Sequence, residues 1–200
     1  MDPRLSAALK NGFRDVTEIA GVRVDLRYAS TNNFLSENIY SSFDRALLHP
    51  EAFEGFKIAS QKLAEIRPGW NFLVFDALRP RSMQRRLFEK VRGTPQQIYV
   101  MDPDLGSVHN YGFAIDLSCL DKDGAEVDMG TGFDAFVDLS HPKFEEKFLA
   151  LGQLSQRQLE NRKVLRSAMS EGGYSGIPHE WWHFNGHPTD YVRKHYEIFE

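Results

Sequence analysis

Apolar positions along the chain recur with two periods. Between Pro50 and Ile66, Phe53, Phe56, Ala59, Leu63 and Ile66 return every three or four residues, the spacing of one face of an α-helix. Pro50 suits the first helical position, His49 precedes it, and Pro68-Gly69 closes the run. The same period predicts a helix over 81–92, with Met83, Leu87, Phe88 and Val91 before Gly93. It predicts another over 155–171, where Ser155 is the N-cap, Leu159, Leu165, Ala168 and Met169 form the stripe, and Gly172-Gly173 ends it. A short helix is expected within 143–151. An amphipathic one is expected over 189–199, with Tyr191, Val192, His195, Tyr196 and Phe199 on one side. Period two marks strands. Val22, Val24 and Leu26 alternate with polar residues in 22–27, a strand with one wet side. The run N-F-L-V-F-D-A-L at 71–78 reads as a buried strand broken by Arg79-Pro80. From Ala114 the chain alternates again: Ile115, Leu117 and Cys119 face one way, and Ala114, Asp116 and Ser118 the other. Residues 28–34 read as a polar loop, 121–124 as a hairpin-type turn, 129–134 as a glycine-rich loop, and 1–12 as a loose arm or frayed helix.

No repeat, low-complexity tract or linker divides the 200 residues, so the pattern predicts one domain over 1–200. The expected class is α+β, a mostly antiparallel sheet of hairpin-connected strands with helices packed on one face. Hydrophobic content of 42% and charged content of 26% are ordinary for a globular chain. With a net charge of −4 and no basic stripe beyond the short, mixed run at 79–86, a nucleic-acid partner is not expected. No apolar run approaches the ~20 residues of a membrane span. The first ten residues lack the basic and apolar regions of a secretory signal, which points to the cytoplasm. A single cysteine, Cys119, forms no internal disulfide and reads as a small core residue. Nothing in the pattern specifies an oligomeric state.

The chemistry gathers around residues 107–120. The face carrying Asp116 has only small neighbours, so it can floor a cleft. His109 lies seven residues earlier and can fold back beside Asp116 if the chain turns sharply at Gly112. Alone, His109 reads as a packed or capping residue, and Asp116 as readily as the partner of an Arg or Lys. A catalytic zinc site needs three protein ligands and an open position, and H-E-W-W-H at 179–183 offers the third. In the helical H-E-x-x-H motif both histidines bind zinc. Here glycines and a proline precede the segment, Gly186-His187-Pro188 follows it, and Trp181, Trp182 and Phe184 favour a strand. In a strand His179 and His183 stand about 13 Å apart, so only one can join the site. His183 with His109 and Asp116 then forms a His₂Asp set, with Glu180 nearby as the base. A regular strand would put Glu180 and His183 on opposite faces, so a bulge or twist is required.

The pattern S-x-H-x-x-G-x-A-x-D at 107–116, with E-W-W-H at 180–183, resembles the zinc D-alanyl-D-alanine dipeptidases of the vancomycin-resistance type (VanX-like). These share a fold group with D,D-carboxypeptidases and the Hedgehog signalling domain. The resemblance runs from about Val24 to Asn185 and includes Y-A-S-T-N-N-F, D-A-L-R-P, M-G-T-G-F-D and N-R-K-V-L-R. It implies a zinc site in a cleft, with one ion per chain on His109, Asp116 and His183, and Glu180 as general base and acid. It implies that Arg79 stabilises the oxyanion and that Asp76 holds Arg79. It also implies that Asp134, with Tyr28, receives a substrate ammonium and that Ser107 lies near the substrate carboxylate. The implied substrate is D-Ala-D-Ala or a close D,D-dipeptide. Leu78 departs from the aromatic usual before the arginine, and 35–45 does not align, which bears on dipeptide preference. The alternatives are a D,D-carboxypeptidase or peptidoglycan endopeptidase with an open groove, and a non-catalytic zinc domain.

Overall fold

A computed structural model describes residues 2–200, and among these the chain builds an α+β fold with a mixed five-stranded sheet. The elements in chain order are α1 (Pro3–Lys10), β1 (Arg14–Asp15), β2 (Arg23–Val24), β3 (Leu47–Leu48), α2 (Pro50–Ile66) and β4 (Asn71–Asp76). They continue with α3 (Arg81–Val91), β5 (Ala114–Leu120), α4 (Glu145–Ala150), α5 (Gln156–Glu171), β6 (Ser175–Ile177), β7 (Glu180–Asn185) and α6 (Thr189–His195). The sheet order is β2-β4-β5-β7-β6, and β1 pairs separately with β3. The β4–β5, β5–β7 and β7–β6 pairs are antiparallel. The pair β2–β4 is parallel, because α2 lies between the two strands and returns the chain by a crossover rather than a hairpin. No described helix is long and apolar enough to cross a membrane.

The two strongest helical patterns form as expected. His49 caps α2, its Nδ1 accepting from the Glu51 amide at 3.3 Å. Ser155 and Gln158 close a capping box on α5: Ser155 Oγ accepts from the Gln158 amide, and Gln158 Oε1 from the Ser155 amide. Both helices pack on the sheet through one core, in which Phe56 stacks on Phe72 at 5.2 Å. They cross closely where Gly55 meets Gly172; a Cβ on Gly55 would lie 2.4 Å from the Gly172 carbonyl oxygen.

Four expectations change. The arm at 1–12 is an ordered helix from Pro3, with Asp2 accepting the Arg4 amide as N-cap and Leu5 and Ala8 buried; Met1 lies outside the described residues. The strand expected over 22–27 pairs only at Arg23–Val24, because a 3₁₀ turn at Arg27–Ala29 swings Tyr28 inward. The 71–78 strand ends at Asp76, and Ala77 and Leu78 are buried outside the ladder. The helix over 189–199 stops at His195, and Phe199 instead joins a second cluster with α1, α3 and the 39–47 segment. Its amide donates to the Asn110 carbonyl (2.8 Å) and its carbonyl accepts from the Arg81 amide (2.8 Å). Leu78 belongs to that cluster, packed with Met83 and Leu87.

Candidate metal centre and cleft

Three strands carry acidic and imidazole groups into one row. Asp116 of β5 pairs with Asp76 of β4 on one side and with His183 of β7 on the other. The first pairing requires a bulge, since Val74 pairs with Leu117 but Asp76, two residues on, pairs with Asp116. The extra residue, Phe75, puts Asp76 level with Asp116.

His109 arrives from a 3₁₀ turn, Val108–Tyr111, which Ser107 and Asn110 cap reciprocally. Gly112 ends the turn in the left-handed region, at φ 72°. A Cβ there would stand 2.5 Å from the Phe13 ring and 2.9 Å from the His49 amide nitrogen, so the sharp reversal requires glycine. The reversal lays His109 over the row, with Nε2 3.4 Å from Asp116 Oδ2 and 3.2 Å from His183 Nδ1.

One ligand atom from each of His109, Asp116 and His183 lies within 4.8 Å of the other two. Hydrogen bonds on the far side of each ring orient the donors. His109 Nδ1 is 2.7 Å from the Ala77 carbonyl, to which it donates, so Nε2 is left with its lone pair facing the row. His183 Nε2 is 2.9 Å from Asn185 Oδ1, and Nδ1 faces Asp116 at 2.9 Å. Two imidazole nitrogens and a carboxylate converge, each ring anchored through its other nitrogen; this donor set and orientation fit a divalent cation. Burial works against charge on His183, but the Asp116 hydrogen bond and charge prevail and push it up to about 9. Burial opposes ionisation of Asp116, yet His109 and His183 hold its carboxyl well below the usual range.

H-E-W-W-H is an extended segment, so the helical zinc motif does not form. Glu180–His183 lie in β7, while His179 is exposed outside it, 3.0 Å from Lys143 Nζ. The required bulge is present: Gly176 pairs with Phe184, but the next residue, Ile177, pairs with Glu180. Glu180 Oε2 thereby comes within 4.0 Å of His183 Nδ1. Burial pushes the Glu180 carboxyl up to about 7, with the Asp116 charge adding to the effect. Trp181 and Trp182 are buried; Trp182 also lines the cleft.

Arg79 is fixed on several sides. Its Nε and Nη2 donate to Asp76 Oδ2, its Nη1 donates to Gln84 Oε1 at 2.8 Å, and the guanidinium lies 5.2 Å from the Tyr28 ring centroid. Nη2 is 3.9 Å from Asp116 Oδ2, so the cation borders the row. Asp76 is fully buried, and its oxygens are engaged by Arg79, the Tyr40 hydroxyl and the Ala77 amide. It therefore faces Arg79 rather than the cleft.

These groups open onto a cleft of about 800 Å³ whose walls include Tyr28, Ser107, Asp134, Phe136 and Trp182. The Tyr28 hydroxyl donates to both Asp134 oxygens, at 3.1 and 3.0 Å. Burial holds the Asp134 carboxyl well above the carboxylate range. Ser107 lines the cleft, with Oγ accepting from the His109 amide at 3.4 Å. Leu78 is not among the lining residues. Sequence patterning missed Tyr40, Gln84, Asn110 and Asn185; of these Asn185 had a signal, since it shares a strand face with His183 two residues before it.

The profile of the family described as D-ala-D-ala dipeptidase matches residues 9–200. Curated relatives of the chain carry the name D-alanyl-D-alanine dipeptidase. The one from Escherichia coli is 35% identical over 163 residues, 82% of this chain and 78% of the relative. One from Synechocystis is 29% identical over 62% of each chain. One from Enterococcus faecium is 26% identical over 94% of this chain and 97% of its own.

Proposed function

The chain belongs to the D-ala-D-ala dipeptidase family, and on that premise we propose that it hydrolyses D-Ala-D-Ala, or a close D,D-dipeptide, at one zinc ion held in its cleft by His109, Asp116 and His183. The observation that carries the proposal is the convergence of these three donors beside a half-buried acid, Glu180, and a fixed cation, Arg79. When bound, zinc supplies a Lewis acid and lowers the pKa of water toward neutrality.

The side chains divide the remaining work. A Glu180 Oε atom accepts the proton of the attacking water and then delivers it to the nitrogen of the leaving D-alanine. A carboxyl near neutrality suits both transfers. Arg79 faces the charge that develops on the scissile carbonyl oxygen, and its bonds to Asp76 and Gln84 hold it there before the charge appears. Asp134 receives the substrate ammonium: burial disfavours its charge, and an incoming cation restores the carboxylate. The Tyr28 hydroxyl orients Asp134, and Ser107 offers a hydroxyl toward the substrate carboxylate. A strict dipeptidase loses the Asp134 contact when the substrate amine is acetylated, whereas a carboxypeptidase or endopeptidase does not.

The test is release of free D-alanine from D-Ala-D-Ala by the zinc-loaded protein, with a chelated sample and N-acetyl-D-Ala-D-Ala alongside. Chelator-sensitive release confined to the free dipeptide is the expected result. Cleavage of the acetylated peptide at equal rate would move the activity to the carboxypeptidase reading. No release with metal bound would make the domain non-catalytic.

A further inference from the structure

The cleft holds a second group of titratable side chains to which the reaction above assigns no role. Lys143, His141, His179 and Tyr99 line it next to Glu180. The Lys143 ammonium lies 3.0 Å from His179 Nδ1 and 4.9 Å from the centroid of the Phe144 ring. The His141 ring stacks on the same Phe144 at 5.7 Å, and its Nε2 is 3.5 Å from the Tyr99 hydroxyl. His141 is 6% exposed, and its buried Nδ1 has no hydrogen-bond partner among the described residues; the Asp138 carboxylate lies 3.8 Å away.

Charge along the cleft singles out Lys143. The lining carboxylates are Asp102, Asp116, Asp134, Asp138 and Glu180, and the lining Arg and Lys residues are Arg79 and Lys143. Arg79 is engaged by Asp76 and Gln84. Lys143 forms no ion pair with any described carboxylate within 4.0 Å. A dipeptide is a zwitterion: its ammonium has several lining carboxylates to choose from, while its carboxylate needs a lining cation, and Lys143 is the one that no described carboxylate or amide oxygen already engages. Ser107 offers that carboxylate a neutral hydroxyl, and its oxygen already accepts from the His109 amide.

We propose that Lys143, held at the cleft wall by His179 and Phe144, is the charged partner of the substrate's free carboxylate. This inference rests on the proposed dipeptidase reaction and names a recognition element within it. Lys143 acts on binding, through a contact that is the same in the ground and transition states, so it governs KM rather than kcat.

Calorimetry on zinc-loaded Glu180→Ala, with and without Lys143→Ala, reads the contact without turnover. The probes are D-Ala-D-Ala and its C-terminal carboxamide. Lys143 is exposed, so its replacement leaves the fold intact. The expected result is dipeptide binding weakened roughly tenfold by Lys143→Ala, the size of one charge-assisted hydrogen bond. Lys143→Arg should restore it, and the carboxamide should bind equally to both proteins. Equal affinity for D-Ala-D-Ala would overturn the inference, as would an equal loss for the carboxamide, a loss found only in Ser107→Ala, or no dipeptide binding at all. Wild-type D-alanine release is measured separately, so failure of the reaction and failure of the subsite give different results.

Discussion

Glu180 and His183 lie 4.0 Å apart, yet the proposed chemistry needs one to move protons and the other to give its proton up. Burial brings the Glu180 carboxyl to about 7, where it can accept and return a proton at neutral pH. Glu180→Ala leaves the three proposed ligands untouched, so the variant should keep its metal by elemental analysis while D-alanine release falls by roughly 10²–10⁴. Wild-type turnover in that variant would remove Glu180 from the mechanism. His183 gives the opposite case. In the metal-free protein its pKa lies above the ordinary value, at about 9, so below that pH it is an imidazolium donating to Asp116 and Asn185. A metal must displace the proton on Nδ1. Affinity should therefore rise with pH, about tenfold per unit between pH 7 and 9, and level off above. Chelator competition at several pH values measures the slope; a flat profile would mean that no proposed ligand carries that proton.

At the scale of elements, the site depends on two irregular strand pairs and one close helix crossing. The α2–α5 contact has no room at Gly55, where a Cβ would press on the Gly172 carbonyl, itself part of rigid backbone. Gly55→Ala gains helix propensity but overpacks the crossing, and the net loss should be about 2 kcal/mol, or roughly 4–8 °C in Tm for a chain of this size. A Tm equal to or above wild type in a thermal melt would show that the helices can separate at no cost. Both helices were legible in the sequence, because a stripe and its caps are local features, and so was the period-two run that sets the face of Asp116. What was not legible is register. The Phe75 bulge and the offset between Gly176 and Ile177 depend on partners tens of residues away, and no local pattern encodes them. The parallel β2–β4 pair escaped for the same reason. Tyr40 and Gln84, which brace Asp76 and Arg79, sit where the apolar pattern carries no mark of function: one in a loop, the other on a buried helix face.

At the scale of the whole molecule, the row Asp76–Asp116–His183 spans three adjacent strands, and His109 reaches it from a turn that also anchors the C-terminal segment. The Asn110 side chain donates to the Arg79 carbonyl while its own carbonyl accepts from Phe199. An ion on the three proposed ligands would thus connect β5, β7 and the 107–112 turn, segments that separate when the chain unfolds. The unfolded chain has no such site, so metal binding adds to folding stability by mass action. At a free ion concentration about a hundred times Kd the gain is about 2.7 kcal/mol, which corresponds to roughly 5–11 °C in Tm. The shift should appear with zinc, vanish with chelator, and be absent from His109→Ala and Asp116→Ala but retained in His179→Ala, because His179 lies outside the cluster. A zinc-dependent shift that survives loss of His109 and Asp116 but not of His179 would place the ion elsewhere in the molecule and undo the proposed centre.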